Sequence, residues 1–316
     1  MSIGSNIRRR RRELGISQKE LAEAVGYSSR SAIANIETGA SELPASRLLD
    51  LARALDTSVE SLLMDIGPAA SVSADLRQRS GTRNGAIILA GGRSTRNLQR
   101  VPNQFVSVLG RPVIAWCLDA YQRHPLIDDI LVVCLEGWED LVSAYADQAG
   151  ISKLRGVVRA GDTGVRSVAL GLRRLEEMGY REDDTIVVQE STRPLVTEES
   201  ISRVLLACGR GGSAVTCAPM ADNVQFVRTG EDGWTYVNRD DIVDLQSPDA
   251  YVLSVLEGAI QKAEELGDPM RENSCAMLFH ALGLPLNFSV CDTPNMKIVR
   301  QEDLAVFEAL ARRRSA

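Results

Sequence analysis

The sequence predicts an α/β protein with a mainly parallel sheet covered by helices on both faces, preceded by a small all-α unit. Three observations carry that expectation. Apolar residues up to position 64 recur at helical spacing in short segments, and from residue 85 onward β-rich runs alternate with helical patterns. Between them, the stretch from Gly67 to Asn84 is rich in Ser, Gly and Arg and has no sustained apolar period. With 316 residues, 44% hydrophobic and 25% charged, the chain has room for one sizeable domain and a small one.

In the front segment the apolar set runs Ile7 and Leu14, then Leu21, Ala22 and Val25, then Ile33 and Ile36. It continues through Leu48, Leu51, Ala52 and Leu55 to Val59, Leu62 and Leu63, which makes four or five short helices. Ser17 stands three residues before Glu20, the capping-box signature of a helix start; Gly26 ends that helix and "YSSRS" begins the next. Five arginines run consecutively from Arg8 to Arg12, a pattern that is usually a solvated face, yet residues 1–70 carry no net charge. Residues 71–84 carry +2, and residues 85–316 carry −8 of the total −6. "GPAASVSADLRQRSGTRN" reads as a flexible linker, so the expected organisation is a helical domain at 1–66, a linker at 67–84 and a large domain at 85–316.

In the large domain the expected strands are "AIILA", "DDILVVCL", "RGVVRA", "DTIVVQES", "SAVTCAPM" and "LNFSVCDTP". Helices are expected near residues 112–123, 138–149, 164–178, 198–208, 250–266 and 272–282. "NVQFVRTGEDGWTYVNR", Asn223 to Arg239, alternates apolar and polar residues around "TGEDG" and reads as a β-hairpin. The first strand runs into "GGRSTR", where small residues let the backbone approach a ligand and successive N–H groups can surround an anion. In parallel sheets, ligands bind outside the carboxyl ends of the strands.

Composition argues against several classes. Cys117, Cys134, Cys208, Cys217, Cys275 and Cys291 form no C-x-x-C pair, and His124 and His280 lie far apart, which speaks against a zinc site and for free thiols in a reducing compartment. No stretch approaches the roughly 20 apolar residues needed to cross a bilayer. The expectation is a soluble cytoplasmic protein with no membrane partner.

The front segment resembles the lambda-repressor-like, Xre-type helix-turn-helix domain through "ISQKELAEAVGYSSRSAIANIETG", which follows S-Q-x-x-L-A, a turn glycine and I-x-x-I-E-x-G. Its turn is one residue longer than the commonest form. The resemblance implies DNA as a partner. Ser29, Arg30, Ser31 and Asn35 would read base edges from the second helix of the motif, while Ser17 and Gln18 would meet phosphates. A helical protein-interaction module is the alternative.

The large domain resembles the cytidylyltransferases that act on methylerythritol phosphate or ribitol phosphate, a Rossmann-like fold of the nucleotide-diphospho-sugar transferase type. Their A-[AG]-G-x-G-x-R, P-K-Q-[FY] and L-x-G-x-P motifs are approximated by "AGGRSTR", "PNQF" and "VLGRPVIAW". "AGDTGVRSVALGL" follows G-G-x-x-R-x-x-S-V-x-x-G-L, "QESTRP" follows H-D-A-A-R-P, "QSPD" follows Q-T-P-Q and "NMKI" follows N-x-K-[IV]. The implied reaction joins CTP and a polyol phosphate into a CDP-polyol and pyrophosphate with Mg²⁺ present; no metal-ligating residue is assigned.

By the same resemblance Arg96 and Lys297 carry the charge stabilisation. Ala90, Gly91, Gly92, Arg93, Ser94, Asn103, Gly161, Arg166 and Ser167 surround the nucleotide, and Glu190, Arg193 and Arg239 face the polyol phosphate. The departures are specific. Ser94 replaces a loop glycine, Asn103 the lysine of P-K-Q, Gly164 a nucleotide-side arginine with Arg166 two residues on, Glu190 an aspartate, and "NSC" at 273–275 the T-D-[DE] motif. Arg93 or Arg100 is a candidate substitute for the lost lysine. The family's hairpin arm, which swaps across a homodimer, implies a dimer. Two functions remain open: a cytidylyltransferase serving polyol or isoprenoid supply with a regulatory DNA-binding head, or a regulator that senses nucleotide or polyol phosphate with impaired turnover.

Overall fold

The computed structural model describes residues 3–27, 29–38, 41, 43, 45–57, 62, 81–93, 101–220, 225–229, 233–267, 274–291 and 295–315. The chain separates into two compact units, Met1–Gln78 and Arg79–Ala316. Among the described residues no helix is long and apolar enough to cross a membrane.

The front unit contains α1 (Ile3–Glu13), α2 (Gln18–Val25), α3 (Arg30–Thr38) and α4 (Ala45–Ala54). Ser17 caps α2 with a complete capping box: its hydroxyl accepts from the Glu20 N–H and the Glu20 carboxylate accepts from the Ser17 N–H. Gly26 ends α2 at φ 78°, a left-handed conformation that glycine adopts without steric cost. Ile7, Leu21, Val25, Ile33, Ile36, Leu51, Leu55 and Leu62 form one core, as their helical spacing requires. Val59 and Leu63 lie outside the described residues, as does the expected linker from 67 to 80.

The arginine run is only partly a solvated face. Arg11 is buried and forks onto Glu37, Nε to Oε1 at 2.6 Å and NH2 to Oε2 at 3.1 Å. Arg10 donates to the carbonyls of Leu55 and Asp56 behind α4. Arg8 and Arg12 are exposed.

The large unit is built on a seven-stranded sheet in the order β11-β7-β10-β6-β1-β4-β5. The strands are β1 (Asn84–Ala90), β4 (Asp129–Cys134), β5 (Leu154–Arg159), β6 (Thr185–Glu190), β7 (Ser213–Pro219), β10 (Val243–Val252) and β11 (Asn287–Val290). Only β10 runs antiparallel to its neighbours. Two short strands, β2 (Ser107–Val108) and β3 (Arg111–Pro112), form a separate pair. The helices are α5 (Val113–Arg123), α6 (Glu139–Gln148), α7 (Gly164–Glu177), α8 (Glu198–Gly211), α9 (Leu253–Leu266), α10 (Cys275–Ala281) and α11 (Gln301–Ser315). Central strands are buried along almost their whole length, β4 at every residue, because helices cover both faces. The expected hairpin is present as β8 (Gln225–Thr229) and β9 (Gly233–Val237), paired antiparallel.

Three expectations are corrected. The helix expected from residue 250 begins at Leu253, because residues 243–252 form β10; the ladder to β7 is interrupted between Gln246 and Asp249, where Pro248, which has no N–H, falls inside the irregularity. The C-terminal α11 was not expected; Phe307 and Ala311 carry its burial, with Leu304 and Leu310 partly covered. The linker stops earlier than residue 84: Asn84 is already in β1, and the Arg83 guanidinium lies 3.9 Å from the Tyr180 ring centroid while pairing with Asp129.

Burial pushes Glu37 up, but the Arg11 fork and the Gln18 amide outweigh it and hold the carboxyl below its ordinary range. A depressed carboxyl stabilises the fold above its unfolded value, about pH 4.3, and that stability disappears as pH falls through the folded value. The helical unit is therefore expected to lose stability in acid. Glu37→Ala, which strands a buried guanidinium, is expected to cost about 3–5 kcal/mol at neutral pH in chemical unfolding.

Candidate functional site

The strand order reverses at β1. The chain goes from β1 to β4 and β5 on one side, then returns through α7 to β6 on the other. Such a reversal leaves an opening at the carboxyl ends of β1 and β6, because the connections leave in opposite directions. A cavity of about 490 Å³ lies there, lined by Gly91 and Gly92 after β1, Gly161 to Gly164 before α7, Glu190 to Thr192 after β6, and Asn103, Gln104 and Lys297 to Val299. Its size is in the range of small-ligand sites.

Each wall has a local cause. Thr163 caps α7 by accepting from the Arg166 N–H at 3.2 Å, so the open amides of that helix border the cavity. Ser167 accepts from the Gly161 N–H at 3.1 Å and donates to the Thr163 carbonyl at 2.8 Å, closing the turn. Phe105 stacks on Trp138 with centroids 4.4 Å apart, which steadies the turn Asn103–Phe105. Gln104 Nε2 donates to the carbonyls of Ala90 and Gly92, both at 2.8 Å, and holds the glycine loop. Gln104 Oε1 and Ser191 Oγ are buried at the cavity wall and have no hydrogen-bond partner among the described residues.

Glu190 is the electrostatic centre. Its carboxylate pairs with Arg193 Nε at 2.8 Å and with Lys297 Nζ, and its N–H donates to Ser247 Oγ at 3.1 Å. Burial pushes the carboxyl up, but Lys297 and Arg193 more than compensate and hold it below the ordinary range. Asp162 at the rim is matched by Arg166 at 2.7 Å. The described groups therefore leave one positive charge in surplus, which suits a phosphate-bearing ligand.

Residues 85–313 match the family of 2-C-methyl-D-erythritol 4-phosphate cytidylyltransferase. The chain belongs to that family. Residues 7–62 match the helix-turn-helix family. A ribitol-5-phosphate cytidylyltransferase of Lacticaseibacillus paracasei is 32% identical over 228 residues, covering 72% of this chain and 97% of the relative. A 2-C-methyl-D-erythritol 4-phosphate cytidylyltransferase of Syntrophus aciditrophicus is 31% identical over 229 residues, covering 72% and 95%. In fold, the large unit is similar to 4-diphosphocytidyl-2C-methyl-D-erythritol synthase from Anaerococcus prevotii, with TM-score 0.63 at 21% identity over 74% of this chain and 100% of that one. The Thermus thermophilus cytidylyltransferase gives TM-score 0.55 at 26% identity, covering 72% and 98%.

The cytidylyltransferase fold brings together Gly91, Gly92, Asn103, Gly161, Ser167, Glu190 and Lys297 around one cavity, with Ala90 just behind the loop and Arg193 behind Glu190. It does not bring Arg166 into the main cavity: the side chain turns to Asp162 and borders a neighbouring cleft with Arg173. Arg93 is exposed, and Arg239 sits exposed on the turn after the hairpin, outside the lining of the main cavity and of the neighbouring cleft. Ser94, Arg96 and Arg100 lie outside the described residues. Asn103 is 3% exposed, and its Nδ2 donates to the carbonyls of Ile298 at 3.2 Å and Val299 at 3.1 Å. Sequence reasoning missed Gln104, Ser191, Ser247, Asp249 and Asn295, all inside quoted motifs; their roles depend on contacts 12 or more positions away or on burial.

In the front unit Ser29, just before α3, and Arg30, Ser31 and Asn35 on it are all exposed, whereas Ser17 is engaged as the cap of α2. Gln18 bridges, donating to Glu37 at 2.8 Å and accepting from Arg30 at 3.2 Å.

A Cβ on Gly91 would lie 2.5 Å from the Ala160 methyl. Gly91→Ala is expected to overpack the loop by about 1–3 kcal/mol, read as a lowered unfolding midpoint, since neither backbone can give way without moving the strand ends.

Proposed function

We propose that the chain joins a DNA-binding unit to a cytidylyltransferase-type cavity that takes CTP and a polyol phosphate and turns them over slowly. Asn103 carries this reading. Where the family motif has a lysine, this chain has an uncharged amide committed to the carbonyls of Ile298 and Val299. The reaction needs positioning and charge neutralisation: a phosphate oxygen of the polyol phosphate bonds to the α-phosphorus of CTP, the bond to the β,γ-pair breaks, and pyrophosphate leaves with the negative charge. In this reading Gly91, Gly92, Gly161 and Ser167 receive the nucleotide, Lys297 neutralises charge at the phosphorus, and Glu190 with Arg193 orients Lys297 toward the polyol side. Ser94 and Arg96 would act from the loop beyond Gly92, with Arg93 or Arg100 as the candidate replacement cation.

The family implies Mg²⁺. Among the described residues no group of three His, Cys, Asp or Glu is placed to hold a metal, and both cavity carboxylates are already ion-paired. These residues do not fit a protein-built Mg²⁺ cage, and an ion carried on nucleotide phosphates is the form that suits them.

A fully active ribitol-phosphate enzyme is the second reading, favoured by the 32% identical relative and by retention of Lys297, Glu190 and Arg193. Calorimetry with CTP and Mg²⁺ is expected to show binding. Pyrophosphate release with ribitol or methylerythritol phosphate is expected to fall about 10²–10³ below that of the Lacticaseibacillus paracasei relative, and Asn103→Lys is expected to recover at least tenfold of it. Parity with the relative would overturn slow turnover; absence of CTP binding would overturn both readings.

For the front unit, residues 1–66, the exposed set Ser29, Arg30, Ser31 and Asn35 supports base reading from α3, with Ser17 and Gln18 toward the phosphates. Two half-sites call for a dimer, and the hairpin supports one. Phe226, Trp234 and Tyr236 share a face of β8–β9, and Trp234 is 65% exposed. Wild type is expected to sediment as a dimer and to shift DNA from its own upstream region, with affinity falling steeply as salt rises. The double variant Phe226→Asp, Trp234→Asp is expected to be monomeric and to bind DNA poorly; a monomeric wild type or salt-insensitive binding would sink this part.

A further inference from the structure

Behind Glu190 lies a second, smaller cavity of about 190 Å³. It shares Leu89, Gly164, Glu190 and Lys297 with the larger one, so the two adjoin at the ion pair. Its other wall is the irregular part of β10, with Ser247 and Asp249, together with Ser274 and Cys275 at the start of α10. The space is too small for a nucleoside and is lined by groups that suit a short hydroxylated chain.

Asp249 is the unusual member of this wall. It is 9% exposed, and its Oδ2 accepts from the Tyr251 hydroxyl at 3.3 Å. The ionisable groups around it are Glu190 at the end of β6, Arg193 just beyond, Lys297, Cys275 on α10, Tyr121 on α5 and Tyr251 on its own strand. Burial, and then the Glu190 carboxylate, push Asp249 up to about 8, whereas Glu190 is held ionised by its two cations. Two carboxyls at one junction thus differ in charge at pH 7: one balances Lys297 and Arg193, and the other is neutral. A neutral carboxyl donates through one oxygen and accepts through the other, which complements an alcohol; an ionised one would only accept. The Q-T-P-Q motif has glutamine here, also a neutral donor and acceptor but one methylene longer, so aspartate leaves more of the cavity open.

We infer that Asp249 is a specificity-determining residue that hydrogen-bonds a hydroxyl of the polyol chain in the small cavity, with the phosphate of that ligand lying toward Lys297. This rests on the polyol-phosphate reading of the main site.

The test is calorimetry on the full chain, with ribitol 5-phosphate titrated into CTP-saturated protein and CTP titrated separately. Asp249→Ala is expected to weaken ribitol 5-phosphate about tenfold, as loss of one buried hydrogen bond does, while Asp249→Asn, a neutral isostere, stays within about threefold. CTP affinity is expected to be unchanged in both. Wild-type affinity for ribitol 5-phosphate is expected to fall as pH rises through about 8, and that of Asp249→Asn is not. Unchanged affinity in Asp249→Ala would overturn the inference, as would a parallel loss of CTP affinity, which would assign a structural role. Loss in Asp249→Asn equal to that in Asp249→Ala would overturn the neutral donor. A wild type that binds CTP but neither ribitol nor methylerythritol phosphate would instead overturn the polyol reading on which the inference rests.

Discussion

The Glu190 carboxylate, held between Arg193 and Lys297, is the interaction on which the rest of the site depends. Arg193 also donates to the carbonyls of Asn295 at 2.8 Å and Leu245 at 3.3 Å. Asn295 Nδ2 in turn donates to the Ser247 carbonyl at 2.6 Å, and the Glu190 N–H reaches the Ser247 hydroxyl. The end of β6, the irregular part of β10 and the segment before α11 are therefore tied by one polar cluster. Because its charges are partly buried, each member depends on the others, and removing one would leave an uncompensated group rather than a neutral gap.

Asn103 extends the same logic to the turn Asn103–Phe105. A lysine here would put a second cation close to Lys297. The amide instead fastens the turn to the carbonyls of Ile298 and Val299, while the Ile298 N–H donates to the Thr192 carbonyl at 2.8 Å. The Lys297 segment is thus fixed from both sides and backed by the apolar cluster of Val108, Val113, Leu195, Ile298 and Phe307. The position thus carries a hydrogen-bonded amide where the family motif carries a charge.

The front unit repeats the device on a smaller scale. Glu37, at the end of α3, is reached by Arg11 from α1 and by Gln18 from the start of α2, and Gln18 also meets Arg30. One buried carboxylate thus orients both helices of the helix-turn-helix motif. Of the five consecutive arginines, Arg11 serves this node and Arg10 closes the end of α4, so the run is not uniformly available for a partner.

Local pattern was enough for much of this protein. The capping box at Ser17, the left-handed Gly26, the buried runs of β1, β4 and β6 and the motif order from Gly91 to Lys297 are all short-range or collinear signals, which a chain displays before it folds. Tertiary structure alone decided the rest. β10 takes its strand identity from lying between β6 and β7, since its own residues include Pro248 and buried Asp249 and do not alternate. Arg166 is within two residues of the expected position yet faces a different cleft, because a two-residue shift on a helix rotates a side chain to another side. Asn103, Gln104 and Asp249 acquire their character from carbonyls and carboxylates remote in sequence. Residue order determined the family and the fold, whereas charge state and hydrogen-bond commitment depend on distance and burial, which only the folded chain sets.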